Sequence, residues 1–240
     1  MSDAATEAVR TTQAAPSVTA ISLAGPHLRL RPLTRDDYGF LWECRCHPDI
    51  QYLWMQGRTL PTFEQYTREL DRSLGGSVVT MLMIEPVTDA HPIGFVFAYD
   101  HNPFDKYLYW TLALHPAFTH AGWGAEAGVL FLNYLFTYFD IRMAYSDHFA
   151  FNFHSARLLL RTCGHEEGRF IAQRYYQGAF HDVIRVSTTR EDWYRAVKER
   201  LGKFLVPRRL ARAQAGQGQS APEPSLADVP ASGGLSLPLE

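Results

Sequence analysis

The chain has 240 residues, is 46% hydrophobic and carries a formal net charge of -2, a balance that suits one globular domain with tails, or at most two small domains. A charge so near zero gives no reason to expect nucleic acid or an anionic membrane as the main partner, and the basic run PRRLARA (Pro207–Ala213) is too short to change that. No apolar run approaches the ~20 residues of a membrane span, and an odd set of three cysteines argues against a disulfide framework and for a reducing compartment.

The N-terminal stretch MSDAATEAVRTTQAAPSVTA has early acids and no apolar segment, so it does not read as a secretory signal. The expectation is a soluble, cytoplasmic protein. Residues 1–20 and 207–240 are small, polar and rich in Ala, Gly, Ser and Pro, with too little apolar surface to offset the entropy of ordering, so both are expected to be disordered tails around one domain at 21–206.

HLRLRPL (His27–Leu33) alternates like a strand, and Thr34 then caps a helix with Asp36 and Asp37 in its first turn. Cys44, Cys46 and His47 fall at that helix's end. No second cysteine pair completes a tetrahedral set, and no metal is expected. Thr62 starts a second helix, TFEQYTRELDRSL, with Gln65 at the capping-box position and Gly75 after its end. SVVTMLMIE (Ser77–Glu85) and HPIGFVFAYD (His91–Asp100) read as strands joined by the short polar link PVTDA, hence antiparallel, and KYLYWTLALH (Lys106–His115) is a third strand.

Next comes FTHAGWGAEA (Phe118–Ala127), then an aromatic-rich helix from Gly124 to about Tyr138. A helix start offers unpaired N–H groups to an anion, and Gly122 and Gly124 let the backbone come close to it. Two glycines in a plain turn account for the stretch as well. Gly122, Gly124 and Ala127 also spell G-x-G-x-x-A, with Asp147 placed like a ribose-binding acid. Against that dinucleotide reading, HPAFTHA separates the loop from its strand, and the preceding strands are antiparallel.

The strand IRMAYSD (Ile141–Asp147) follows, then the helix NFHSARLLLRTC (Asn152–Cys163) before Gly164, two strands around Glu167–Gln173 and Phe180–Ser187, and a last helix capped by Thr189 with Trp193 and Tyr194. Hairpins first and a βαβ unit in the middle imply an α/β fold of the α+β kind, with a mixed, mostly antiparallel sheet of about seven strands flanked by helices.

Pro116–Ala127 resembles the acyl-CoA pyrophosphate loop of the GNAT acyltransferase superfamily, Gln/Arg-x-x-Gly-x-Gly/Ala. The branch it resembles most includes the ribosomal-protein N-terminal alanine acetyltransferases. Further matches lie in the same order: LRLRPLTRDD at the start, Ile93-Gly94, Tyr109-Trp110, Asn152-x-x-Ser155, Cys163-Gly164-His165 with Glu167-Gly168, and GAFHDVIRVS. The resemblance spans roughly Leu28–Trp193. Thr119 stands where the family has Gln or Arg, and His165 where the branch has Phe.

The resemblance implies an acyl-CoA-dependent N-acyltransferase moving acetyl from acetyl-CoA, or another acyl-CoA, to a primary amine through a tetrahedral intermediate. It implies a pyrophosphate cradle of Thr119, His120, Ala121, Gly122, Trp123, Gly124 and Ala125. It also implies backbone contacts to pantetheine near Leu112 and Leu114, a hydrogen bond from Asn152, and Ser155 as proton donor to the leaving thiolate. Arg157 is within reach of the cofactor's phosphates. As proton acceptors the sequence offers His115 and Tyr109 on the critical strand, and His148 beyond the next one, with a water relay as the other route. The acceptor pocket is expected between the link of the first two helices, with Tyr52 and Trp54, and the late hairpin tip, with Tyr175 and Tyr176; its aromatic character favours an apolar acceptor over a highly charged one. A small-molecule amine and a protein N-terminus both stay open as acceptors, as do a homodimer, a non-catalytic acyl-CoA-binding module and a nucleotide-dependent oxidoreductase.

Overall fold

The computed structural model describes residues 23–51, 59–119 and 122–205, with the backbone alone at 153–155 and 158. The expected tails at 1–20 and 207–240 lie outside the described residues, as do Tyr52, Trp54, His120 and Ala121.

Seven strands form one sheet in the order β1-β2-β3-β4-β5-β7-β6. They are β1 (Leu28–Pro32), β2 (Val78–Pro86), β3 (Gly94–Asn102), β4 (Tyr107–Leu114), β5 (Met143–Phe149), β6 (Gly164–Tyr176) and β7 (Ala179–Thr189). The helices are α1 (Tyr38–Cys46), α2 (Phe63–Leu74), α3 (Trp123–Tyr138), α4 (Phe153–Thr162) and α5 (Arg190–Ala196), the last running on into a π turn at Val197–Leu201. All strand neighbours are antiparallel except β4 and β5. The expected order of elements is thus the observed one.

One face of the sheet packs on α3, α4 and α5 through Leu108, Trp110, Phe131, Leu135 and Trp193. The other packs on α1 and α2 through Met83, Phe95, Ala113, Leu41 and Leu70. The capping box expected at Thr62 and Gln65 is present, with the Gln65 N–H donating to Thr62 Oγ1 at 3.2 Å and the Thr62 N–H donating to Gln65 Oε1 at 2.9 Å. At the far end of the sheet, Gln177 and Gly178, both at positive φ, make the two-residue turn of the β6–β7 hairpin.

Helix α3 is buried on most sides. Its only acid, Glu126, is 3% exposed and accepts hydrogen bonds from the N–H groups of His27 and Leu28 at 2.8 and 2.9 Å. These bonds staple the start of β1 to the first turn of α3, where the helix dipole also favours a carboxylate. A buried N–H left unmet costs about 1–3 kcal/mol, so this one side chain holds the first turn of α3 against the edge strand β1.

Two strands differ from the sequence expectation. β5 begins at Met143, not Ile141, and runs on to Phe149, because β7 continues to pair with it as far as Phe149↔Val183. β6 begins at Gly164. A Cβ there would lie 2.9 Å from the Leu159 backbone and from Val186 Cγ1, so the glycine serves a close helix–sheet approach. The shift in β5 puts His148 inside a strand, with consequences for the site.

Candidate active site

β4 and β5 pair over only three positions, Tyr107↔Met143, Leu108↔Ala144 and Tyr109↔Tyr145. Beyond Tyr109 the strands diverge, and among the described residues the β5-facing edge of β4 has no strand partner. A cavity of about 590 Å³ fills the gap, a volume in the range of small-molecule sites. Its lining comes from both faces of the sheet: Ile50 from the α1–α2 link on one side, Leu132 and Trp193 on the other.

At one end the cavity meets the start of α3. Gly122, the N-cap, has φ of +74°, a conformation that favours glycine, and a Cβ there would meet nothing within 4 Å. The N–H groups of Ala125 and Glu126 turn back to the Gly122 carbonyl at 3.1 and 3.5 Å. The donors left for an anion are therefore those of Trp123 and Gly124. Ala125 contributes a thin wall in place of the N–H contact expected of it. Thr119 lines this end, but its hydroxyl donates to the Pro116 carbonyl at 3.1 Å, so in this conformation it closes a turn. An open glycine backbone, free N–H donors and an unpaired strand edge beside them suit a diphosphate followed by an amide-bearing arm. The chain therefore fits acyl-CoA on its own geometry.

Leu112 and Leu114 line the cavity along β4, and Asn152 lines it from the start of α4. Asn152 makes no side-chain cap bond to α4, contrary to a capping role alone. Ser155 lies in the first turn of that helix, with its side chain outside the described residues, and Arg157 is exposed.

On the α1/α2 face the splay is walled by aromatic rings. Tyr109 packs against Tyr145 at 5.4 Å and Tyr99 at 5.8 Å between centroids. A second hollow of about 380 Å³ lies here, lined by Tyr107, Tyr109, Tyr145, Glu167, Phe170 and Arg185. Arg185 grips Asp147 with two hydrogen bonds, 2.8 and 2.9 Å, and lies 5.0 Å from the rings of both Tyr109 and Phe170. Those bonds to Asp147 hold the guanidinium above its ordinary pKa range. Asp147 also lines the larger cavity, so this ion pair stands where the two hollows meet.

The acyltransferase reading of the sequence leaves out Arg185, Tyr145 and Asp147, the last of which enters only the dinucleotide reading as a ribose-binding acid. Strand parity was the available signal: Tyr145 and Asp147 share a face, and Tyr109 joins them once the β4–β5 register is known. Tyr176 reaches the α1–α2 link, its hydroxyl donating to the Pro48 carbonyl at 3.4 Å. Tyr175 packs on Phe180 and is 46% exposed.

The three proton-transfer candidates part company. Burial pushes the Tyr109 phenol above its ordinary value, against a smaller opposite pull from Arg185, so at neutral pH it is a donor and not a base. His115 caps the turn after β4, its Nδ1 accepting from the Ala117 N–H at 3.3 Å, while Nε2 lies 3.6 Å from Glu43 Oε1. It is absent from the lining of either hollow. That geometry gives it a structural task in place of the expected base. His148 lines the cavity, with Nε2 2.9 Å from Ser146 Oγ, and burial lowers its pKa from 6.5 to about 4. It is too weak a base for a proton acceptor near neutral pH.

A pH effect on stability follows from His148. Its folded pKa lies below the unfolded one, so on acidification the unfolded chain binds the proton first. The stability due to neutral His148 is complete above about pH 6.5 and is lost between about 6.5 and 4, up to roughly 3 kcal/mol. Urea unfolding at about pH 7 and about pH 4.5 should show this loss in the parent protein and a smaller one in His148→Gln. Equal losses in both would remove His148 as the cause.

Among the described residues no cluster of His, Cys, Asp and Glu could hold a metal ion, and no helix is long and apolar enough to cross a membrane. Cys44, Cys46 and Cys163 are free thiols.

A protein-family model described as "Acetyltransferase (GNAT) domain" matches residues 27–164. No curated protein matches the sequence. Among solved structures, the fold is similar to spermidine N-acetyltransferase from Vibrio cholerae in complex with CoA and spermine. The TM-score is 0.64 at 18% identity, over 70% of this chain and 98% of that one. It is also similar to an acetyltransferase (GNAT family) from Bacillus anthracis, with a TM-score of 0.60 at 15% identity, over 71% of this chain and 99% of that one. At such identities the likeness is one of fold.

Proposed function

The chain belongs to the GNAT acetyltransferase family, and from that premise we propose that it acetylates a primary amine with an apolar or aromatic body, presented at the tyrosine-walled side of the splay. As a member it is an acetyl-CoA-dependent N-acetyltransferase. Acetyl-CoA, when bound, supplies the thioester that the amine attacks, with the CoA thiol as leaving group.

The residues divide the work by position. Gly122, Trp123 and Gly124 would hold the diphosphate, and the open edge of β4 near Leu112 and Leu114 would pair with the pantetheine amides as an added strand does. An N–H on that edge would hold the thioester oxygen as negative charge develops. Asn152 would hydrogen-bond the arm, and Ser155, one turn along α4, would give a proton to the departing sulfur. Asp147 accepts from Arg185 and keeps lone pairs toward the cavity, which suits it to orient the incoming amine. The displaced amine proton would leave by water, since neither His115 nor His148 is fitted to take it.

The observation that carries the acceptor class is the wall itself: Tyr107, Tyr109 and Tyr145 line the hollow beside the Asp147–Arg185 ion pair and Glu167, whose carboxylate accepts from the Ser187 hydroxyl. A polycation needs several unmatched acids, whereas Arg185 matches Asp147 and leaves Glu167 as the one further acid in the lining of the hollow. The V. cholerae neighbour's complex with spermine supports a small free amine as acceptor. The resemblance to N-terminal alanine acetyltransferases supports a protein N-terminus. A homodimer is a further part of this reading.

Thiol release measured with phenethylamine, tyramine, spermidine, spermine and an Ala-terminated peptide tests the acceptor class. The aromatic amines should exceed spermine in kcat/KM by about tenfold, the value of one well-placed aromatic contact with its burial. Spermine as the best acceptor would overturn it.

A further inference from the structure

The large cavity does not stop at the splay. From the start of α3 it runs along Leu114 and Leu112 to Trp110, and it ends among Gly128 and Leu132 of α3, Leu159 of α4, and Trp193 and Leu201 at the C-terminal helix. We propose that this closed end is an acyl-chain site that takes CoA thioesters longer than acetyl, of which hexanoyl is a fitting example. The proposal rests on the acyl-CoA reading of the glycine end.

Direction comes first. A ligand anchored by its diphosphate at Trp123 and Gly124 and paired along β4 has its acyl end at the opposite extreme of the cavity. Acetyl presents one methyl group there, whereas the closed end is walled by leucines and two indoles.

Gly128 is the second observation. It sits inside α3, where glycine is less favourable than alanine by about 1 kcal/mol. Packing does not demand it: a Cβ would lie 3.6 Å from Trp110 Cη2 and 4.0 Å from Leu112 Cδ1, ordinary contact distances. The missing side chain leaves volume on the cavity wall.

The third is polar. Trp110 is 6% exposed and Trp193 fully buried, and the indole N–H of each has no hydrogen-bond partner among the described residues. Both residues line the cavity. A buried donor without an acceptor is costly, so both indoles favour a ligand whose arm carries carbonyl groups past them, as the pantetheine of an acyl-CoA does.

Calorimetric titration with CoA, acetyl-CoA, butyryl-CoA and hexanoyl-CoA tests the site through binding alone. Each buried methylene is worth about 0.8 kcal/mol, roughly fourfold in affinity. Hexanoyl-CoA is four methylenes longer than acetyl-CoA, so it should bind at least about tenfold tighter, and butyryl-CoA should fall between. In Gly128→Leu, which fills the wall, the ratio of hexanoyl-CoA to CoA affinity should drop by about tenfold or more. If that variant does not fold, the parent ladder alone decides. Hexanoyl-CoA binding no tighter than acetyl-CoA overturns the acyl-chain site while leaving the CoA site in place. Failure of every thioester and of CoA itself overturns the reading of the glycine end, and the proposal with it.

Discussion

Isoleucine at Gly124 should abolish CoA binding, with a loss in affinity on the order of a hundredfold or more, while the protein stays folded. The two halves of this outcome have separate causes. A Cβ at position 124 would lie 3.6 Å from Leu114 Cδ1 and 3.8 Å from Leu112 Cδ2, so the helix start accepts a side chain without a clash. β-branching costs only a few tenths of a kcal/mol in helix propensity relative to other residues, and replacing glycine recovers more than that. The remaining carbons of isoleucine have only the cavity mouth to enter, where an anion must approach the Trp123 and Gly124 N–H groups to about 3 Å. Gly124→Ala is the graded control and should weaken binding far less. Titration with CoA beside a thermal melt reads both quantities. A folded Gly124→Ile variant with parental CoA affinity would mean that the diphosphate does not lie at the start of α3.

Ser155→Ala should lower kcat about a hundredfold with little change in CoA affinity. The position suits the role: Asn152 lines the cavity, and Ser155 is three residues on, in the first turn of α4. A group that gives a proton only as the sulfur departs contributes to the transition state, so its loss appears in kcat and not in cofactor affinity. A positioned proton donor contributes about 10²–10⁴-fold, which sets the scale. If Ser155 merely starts a helix, alanine would cost about 1 kcal/mol of stability or less and leave kcat near the parental value. Steady-state kinetics with the best amine, together with CoA titration of the same variant, separates the two. Parental kcat in a stable Ser155→Ala protein would leave Tyr109, whose phenol is protonated at neutral pH, or water as the acid.

The glycine loop shows how far local sequence reaches. Gly122 needs positive φ and open space, requirements that a G-x-G before a helix announces. Thr119 shows the limit: its type suggested a contact to the ligand, but in this conformation its hydroxyl is used by the Pro116 carbonyl. His115 shows the same limit. Its place at the end of β4 made it a candidate base, yet its ring caps the next turn, a contact two residues away that competes locally with any catalytic use.

By itself the sequence determined the elements, their order and the antiparallel start of the sheet, since periodicity, capping boxes and glycine turns are set by interactions within about four residues. It also carried the glycine loop and, through ordered motifs, the family. The tertiary structure decided what stands opposite what. Asp147 meets Arg185 across 38 residues of chain, and Glu126 holds the N–H of Leu28 across 98. His148 enters the cavity because β7 holds β5 in register to Phe149. Alternation along a strand tells which residues share a face. Register, and the point at which β4 and β5 part, depends on how whole strands pack, and no four-residue window contains that information.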